Sequence, residues 1–119
     1  SEAVFVTGWP ASEMKFYHKA QEGKPNLADR VDLLFRGVEI VTGSMRENDY
    51  EQVLKQLKEK AGGNPDDPGF KPLLASMKAG MPLHGGFGMG LERLTQKFLN
   101  LNNVKEATLF PRDINRLSP

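Results

Sequence analysis

Gly86, Gly88 and Gly90 alternate with Phe87 and Met89 directly before a helical apolar period of Leu91, Leu94, Phe98 and Leu101. A period of two that runs into a period of 3.6 marks a strand turning sharply into a helix. The missing side chains let a flat base or a phosphate approach the backbone, and the helix N-terminus adds donors and a positive end. Arg93 falls in the first turn, where a cation opposes the helix dipole unless something anionic offsets it. A phosphate is the natural candidate. The spacing is not the dinucleotide G-x-G-x-x-G pattern, and no Gly-Lys-Ser/Thr follows to make a P-loop. A tight strand-to-helix turn with no ligand is the alternative reading of the same residues.

The rest of the chain predicts mixed structure. Ala3–Thr7 is β-branched and aromatic, bounded by Gly8 and Pro10, and reads as a buried strand. Residues 15–29 are polar, with Gly23, Pro25 and Asn26, and read as a surface loop. Arg30–Arg36 and Val38–Thr42 meet at Gly37 as a hairpin. Tyr50, Val53, Leu54 and Leu57 define an amphipathic helix with Asn48-Asp49 as caps and Gly62-Gly63 as the stop. Phe70, Leu73, Leu74 and Met77 repeat the spacing, with Pro72 tolerated in a first turn. Ala107–Pro111 reads as a final strand or extended segment. The fold class expected is α+β: a partial antiparallel sheet of strands near 3–7, 31–36, 38–45 and 84–88, with helices packed against one face.

If Arg36 and Gly37 are the two central turn residues, Leu34 faces Glu39 and Asp32 faces Val41. Asp32 and Glu39 then share one face on a diagonal of roughly 7 to 8 Å. Two carboxylates so placed can hold one hard divalent cation, and Mg²⁺ takes one or two protein carboxylates with water and phosphate completing its shell. The alternative is the solvated outer face of a hairpin. Arg46 could pair bidentately with a carboxylate ligand, its guanidinium fork matching that geometry. Arg46 and Glu39 are an odd number apart, so both face one pocket only if a bulge or kink intervenes, and Gly43 is the place expected for it. The bland reading of Arg46 is a surface ion pair with Glu47, Asp49 or Glu51. His18 and His84 read as loop or structural histidines, and Trp9, Phe16 and Tyr17 as loop packing.

Composition narrows the classes. At 119 residues, with 16 Lys+Arg against 15 Asp+Glu and a net charge of +1, one domain is expected and no global field holds it to nucleic acid or membrane. The absence of Cys excludes disulfides and thiol chemistry and suits a reducing compartment. No run approaches the roughly 20 apolar residues that span a bilayer, and no signal-peptide pattern opens the chain, so a cytoplasmic location without membrane is expected.

Taken in order, Arg30–Arg46, His84–Arg93 and Leu109–Asp113 resemble the C-terminal part of an aspartyl-tRNA synthetase catalytic domain, and the glycine-rich segment is similar to motif 3 of the class II aminoacyl-tRNA synthetases. The resemblance covers nearly the whole chain. It implies a ligase of protein biosynthesis that joins aspartate to tRNA through an aspartyl-adenylate, using ATP and Mg²⁺, in the cytoplasm and as a homodimer. Carried over by motif, Asp32 and Glu39 would serve the Mg²⁺–ATP complex. Thr42, Ser44 and Arg46 would hold aspartate, with Arg46 gripping its side-chain carboxylate. Gly90, Leu91, Glu92 and Arg93 would line the ATP site, with Arg93 stacking on adenine or binding the terminal phosphate. Catalysis is then positioning and charge neutralisation.

Motifs 1 and 2 and the anticodon-binding domain have no counterpart in these residues, so residues 1–119 are expected to be a portion of a longer enzyme, inactive in adenylation alone. Trp9–Tyr17 also departs from the family, which usually shows a Pro before Phe-Tyr. Two other readings share the core: an asparaginyl-tRNA synthetase or asparagine synthetase-related ligase, and a non-catalytic module. Leu109–Asp113 favours the aspartyl reading.

Overall fold

Arg36 and Gly37 both take positive φ, 45° and 77°, the pair of values that a two-residue type I′ hairpin turn demands. The computed structural model describes residues 2–117, and this turn joins its two central strands. In chain order the strands are β1 (Ala3–Val6), β2 (Ala20–Gln21), β3 (Lys24–Ala28), β4 (Arg30–Phe35), β5 (Val38–Met45) and β6 (Gly85–Met89). The helices are α1 (Tyr50–Ala61), α2 (Lys71–Lys78) and α3 (Leu91–Phe98), with 3₁₀ turns at Ala11–Glu13 and Val104–Ala107. The main sheet has the order β1-β4-β5-β6, and β2 pairs β3 separately. The expected α+β class and its four strands are present.

The first strand, expected to be buried, is present as β1 but exposes Ala3, Val4 and Phe5, and two further local readings change. Within residues 15–29, β2 and β3 form an antiparallel pair in place of the expected loop. Their hydrophobic signal is one fully enclosed residue, Ala28. Long-range backbone bonds tie the segment down instead: Ala28 N–H donates to the Trp9 carbonyl at 2.8 Å, and Asp29 N–H to that of Lys19 at 2.9 Å. The Ala107–Pro111 segment forms no strand, although Thr108 keeps the extended backbone of the other reading. Asn103 closes a 3₁₀ turn there, accepting from Lys105 N–H at 3.0 Å while its own N–H donates to Glu106 at 2.8 Å. Such local caps compete directly with extended pairing.

The chain divides into two compact units, with boundaries inside β4, β5 and β6. The first unit comprises Ser1–Val6, Asp32–Thr42 and Gly88–Pro119; the second comprises Thr7–Val31 and Gly43–Phe87. In the second unit Val53, Leu74 and Met77 form the core, with Phe16, Tyr50, Leu54 and Phe70 packed on it. Asp49 caps α1 by accepting from Gln52 N–H at 2.8 Å, and Gly62 ends it in the left-handed region at φ 58°, as helix C-termini favour. Gln56 ties α1 to the preceding segment, donating to the Phe16 and His18 carbonyls at 2.7 and 3.1 Å. In the first unit β1 pairs with β4 in the register Ala3↔Phe35 to Val6↔Asp32. Strongly amphipathic α3 buries no residue; Phe98 meets the Phe35 ring at 6.1 Å between centroids yet stays exposed. Among the described residues no helix is long and apolar enough to cross a membrane.

Candidate functional site

Arg46 follows β5 in the second unit, bridged to His18 in antiparallel fashion. Its guanidinium carbon lies 4.7 Å from the Tyr17 ring centroid, and Nη1 donates to Ser44 Oγ at 3.0 Å. The side chain is half-buried, and among the described residues no carboxylate pairs with it. The surface ion pairs that formed its bland reading do not exist. Glu47 is buried and turned to Lys19 at 3.3 Å and to the N–H groups of Asn48 and Asp49 at 3.0 and 3.1 Å. Asp49 is occupied in capping α1. Arg46 therefore borders, with Tyr17, Glu47 and His84, a cavity of about 290 Å³ whose other side is Val53, Leu73, Met77 and Met81. A guanidinium held by one hydroxyl and one aromatic face keeps most of its five donors for a ligand.

Ser44 is also buried. The kink expected at Gly43 is not what that glycine supplies. Gly43 lies inside continuous β5, where a Cβ would stand 3.3 Å from Phe87 Cβ and 3.4 Å from Val31 Cγ1. Its role is close approach of neighbours.

In the first unit, Thr42 Oγ1 donates to Glu39 Oε1 at 2.9 Å. Residues three apart on a regular strand project to opposite faces, so the alternation of β5 breaks between Glu39 and Thr42, before the place expected. Arg93 Nη1 donates to the Glu39 carbonyl at 3.0 Å and stands 3.9 Å from its carboxylate. The anionic offset that a first-turn cation requires is thus present within the chain. Gly90 caps α3, its N–H donating to the Ile40 carbonyl at 2.9 Å, and a Cβ on it would touch the Arg93 side chain at 3.4 Å. Gly90, Glu92 and Arg93 line a cavity of about 440 Å³ together with Lys105 and Arg112. Leu91 is exposed.

Asp32, the other expected metal carboxylate, is 1% exposed, whereas Glu39 is exposed. The two acids therefore differ in access to solvent. Among the described residues no cluster of three or more His, Asp or Glu is suited to a metal. Of the pair, Glu39 is the one open to Mg²⁺, as a single hard oxygen donor whose shell phosphate and water would complete.

Several residues at these cavities escape sequence reasoning. Lys105 and Arg112 lack helical or strand periodicity to place them beside Arg93, although the Leu109–Asp113 motif contains Arg112. Tyr17, which reads as loop packing, stacks on Arg46. Neither residue type nor spacing carries that contact across 29 positions.

The family described as tRNA synthetases class II (D, K and N) matches residues 1–114. An aspartate–tRNA(Asp) ligase of Pyrococcus furiosus is 45% identical over 99% of this chain and 26% of its own length. An aspartate–tRNA(Asp/Asn) ligase of Thermus thermophilus is 47% identical over 100% of this chain and 27% of its own length. The chain thus spans about a quarter of the curated relatives it matches. Among solved structures, the aspartyl-tRNA synthetase of Entamoeba histolytica superposes with a TM-score of 0.88 at 35% identity, over 100% of this chain and 24% of that one. The asparaginyl-tRNA synthetase of Pyrococcus horikoshii gives 0.89 at 36% identity, over 98% and 28%.

Proposed function

We propose that this chain, which belongs to the class II tRNA synthetases (D, K and N), is part of the catalytic domain of an aspartate–tRNA ligase and supplies its grip on the aspartate side chain. The carrying observation is Arg46, half-buried, stacked on Tyr17 and free of any carboxylate partner among the described residues. A guanidinium in that state favours an anion of matching planar geometry. Thr42 and Ser44 supply hydroxyls for the same substrate. Glu39 and Arg93, with Gly90, Leu91 and Glu92, serve Mg²⁺–ATP, and Lys105 and Arg112 add positive charge beside Arg93. Arg93 is the residue expected to touch the reacting nucleotide, exchanging its exposed contact with Glu39 for a phosphate or the adenine. Asp32, at 1% exposure, is closed to direct coordination of the ion. Mg²⁺, when bound, neutralises phosphate charge; the chain's own residues position the two substrates.

Residues 1–119 are proposed as the C-terminal portion of the catalytic domain, with motifs 1 and 2 and the anticodon-binding domain belonging to other parts of the parent. That parent would act in the cytoplasm as a homodimer, with aspartate, ATP and tRNA as substrates. The likeness to asparaginyl-tRNA synthetase supports a second reading, in which an amide replaces the carboxylate as ligand. Thermal unfolding of the chain with added aspartate or asparagine separates them, because a ligand that binds the native state alone raises its midpoint. Aspartate is expected to raise the midpoint, and Arg46→Ala to abolish the rise. A rise with asparagine alone transfers the chain to the second reading, and indifference to both in a cooperatively folding chain rejects amino-acid binding by these residues.

A further inference from the structure

A two-residue type I′ turn needs positive φ at its first central position, a backbone that Asn, Asp and Gly adopt readily and other residues do not. Here that position holds Arg36, at φ 45°. A residue set against local preference in an otherwise consistent hairpin points to a compensating role for its side chain. Arg36 Nη1 donates to the Lys97 carbonyl and to Asn100 Oδ1, both at 2.8 Å. Its Nε and Nη2 donate to Glu2 Oε1 at 3.2 and 2.9 Å, and its backbone N–H to the Glu2 carbonyl at 2.7 Å. The guanidinium carbon lies 5.1 Å from the Phe35 ring centroid. All three nitrogens of the group are engaged within the chain, so Arg36 joins segments and is not a ligand-binding cation like Arg46.

The segment it reaches carries Arg93. Lys97 lies in the last turn of α3, and Asn100 follows the helix at φ 55°. A cation that donates to a carbonyl at a helix C-terminus both satisfies an orphan acceptor and complements the negative end of the dipole. At the opposite end of α3, Gly90 N–H donates to the Ile40 carbonyl at 2.9 Å and Arg93 Nη1 to the Glu39 carbonyl at 3.0 Å. The β4–β5 hairpin therefore grips α3 at both ends, through its turn and through the start of β5. Between those ends α3 buries none of its eight residues, and Leu91 and Phe98 are 66% and 70% exposed. A helix in a folded protein ordinarily takes its place by burying an apolar stripe. Without one, the position of α3 depends on the polar tethers.

We propose that Arg36 is a positioning residue for the nucleotide site: it clamps the C-terminal end of α3 to the β4–β5 turn and so fixes the helix whose first turn presents Arg93. The proposal rests on the Mg²⁺–ATP reading of Arg93 and adds to it a residue that touches no substrate.

Arg36→Asn separates the clamp from the turn, because Asn suits the type I′ position better than Arg and is too short to reach α3. The test uses the full chain. Without ligand, backbone amides of residues 94–99 should exchange with deuterium about tenfold faster in Arg36→Asn, while those of α1 keep their wild-type rates. Affinity for Mg²⁺–ATP should fall about tenfold, whereas the rise of the thermal midpoint with aspartate should be retained. Asn100→Gly keeps the left-handed backbone and removes one of the two acceptors, so it should show the same pattern in smaller measure. Unchanged exchange in α3 overturns the clamp, as does equal acceleration in α1, which marks a general loss of stability. Faster exchange in α3 with full affinity for Mg²⁺–ATP, or with an equal loss of the aspartate response, overturns the positioning role. Should Arg36→Asn fail to fold, Asn100→Gly decides by the same criteria. A folded wild-type chain that takes up no Mg²⁺–ATP rejects the nucleotide reading itself, and the exchange rates then decide the clamp separately.

Discussion

The two units enclose their apolar residues to different degrees. The second encloses Val53, Leu57, Leu74 and Met77 and holds Arg46 against a braced aromatic ring. In the first, Phe5, Leu91, Phe98, Leu109 and Ile114 are all exposed, and Arg93 is an open side chain beside an open carboxylate. The difference teaches what each arginine can do. A side chain packed on a ring inside a unit with its own core is set in position before any ligand arrives, so its selectivity is a matter of geometry. An exposed pair near 4 Å is weakly held in water, which suits the proposed exchange of Glu39 for a nucleotide.

The largest test of this contrast is truncation on either side of it. Leu57→Ala should cost about 2–5 kcal/mol, whereas Phe98→Ala should cost no more than about 1 kcal/mol despite deleting a larger ring. Urea unfolding measures both, and equal losses would break the distinction between the units. Backbone devices should show a smaller effect that is even across the two. Asp49→Ala removes the α1 cap in the second unit and should cost about 1 kcal/mol. Gly37→Ala strains the turn in the first and should cost a similar amount. A negligible effect of Gly37→Ala would mean that the β4–β5 turn can relax without that conformation.

Smaller again is Glu39→Gln, which should leave unfolding within about 0.5 kcal/mol while weakening the response of the chain to Mg²⁺–ATP. A large stability loss would show that the Arg93 contact is structural and sharpen the case against its exchange for phosphate. The least effect belongs to Asp113, whose carboxyl is held below the usual carboxylate range, first by its hydrogen bond from Lys105 and then by the Asn115 N–H. Because the folded value is the lower one, the contribution is present above the ordinary carboxylate value and is lost as pH falls through the depressed one. Amide signals of Asn115 and Arg116 should loosen only in that acid window; loosening near neutrality would point to another group.

The legible parts of the fold are those with a local cause. Tyr50, Val53 and Leu57 place a helix face by period, Asp49 and Gly62 end it by capping chemistry, and Arg36-Gly37 is short enough to demand one turn type. The β2–β3 pair is illegible because its bonds run to Trp9 and Lys19 from polar residues with no alternation. The tail defies its β-propensity because Asn103 and Glu106 close a turn that propensity does not register. For the candidate site, motif order proposes Asp32, Glu39, Thr42, Ser44, Arg46 and Gly90–Arg93, while parity alone sets the break in β5 at Gly43. Side-chain bonding moves it to the Glu39–Thr42 interval.

The sequence by itself determined the family and those elements that have a local cause, since each is encoded in short-range pattern and motif. Only the tertiary structure decided which of the candidate residues are free to act. Whether Glu47 pairs with Arg46 or with Lys19, and whether Tyr17 fills a loop or supports a guanidinium, depend on contacts between residues 28 and 29 positions apart. No local propensity carries such contacts, because they are set by packing of the whole unit.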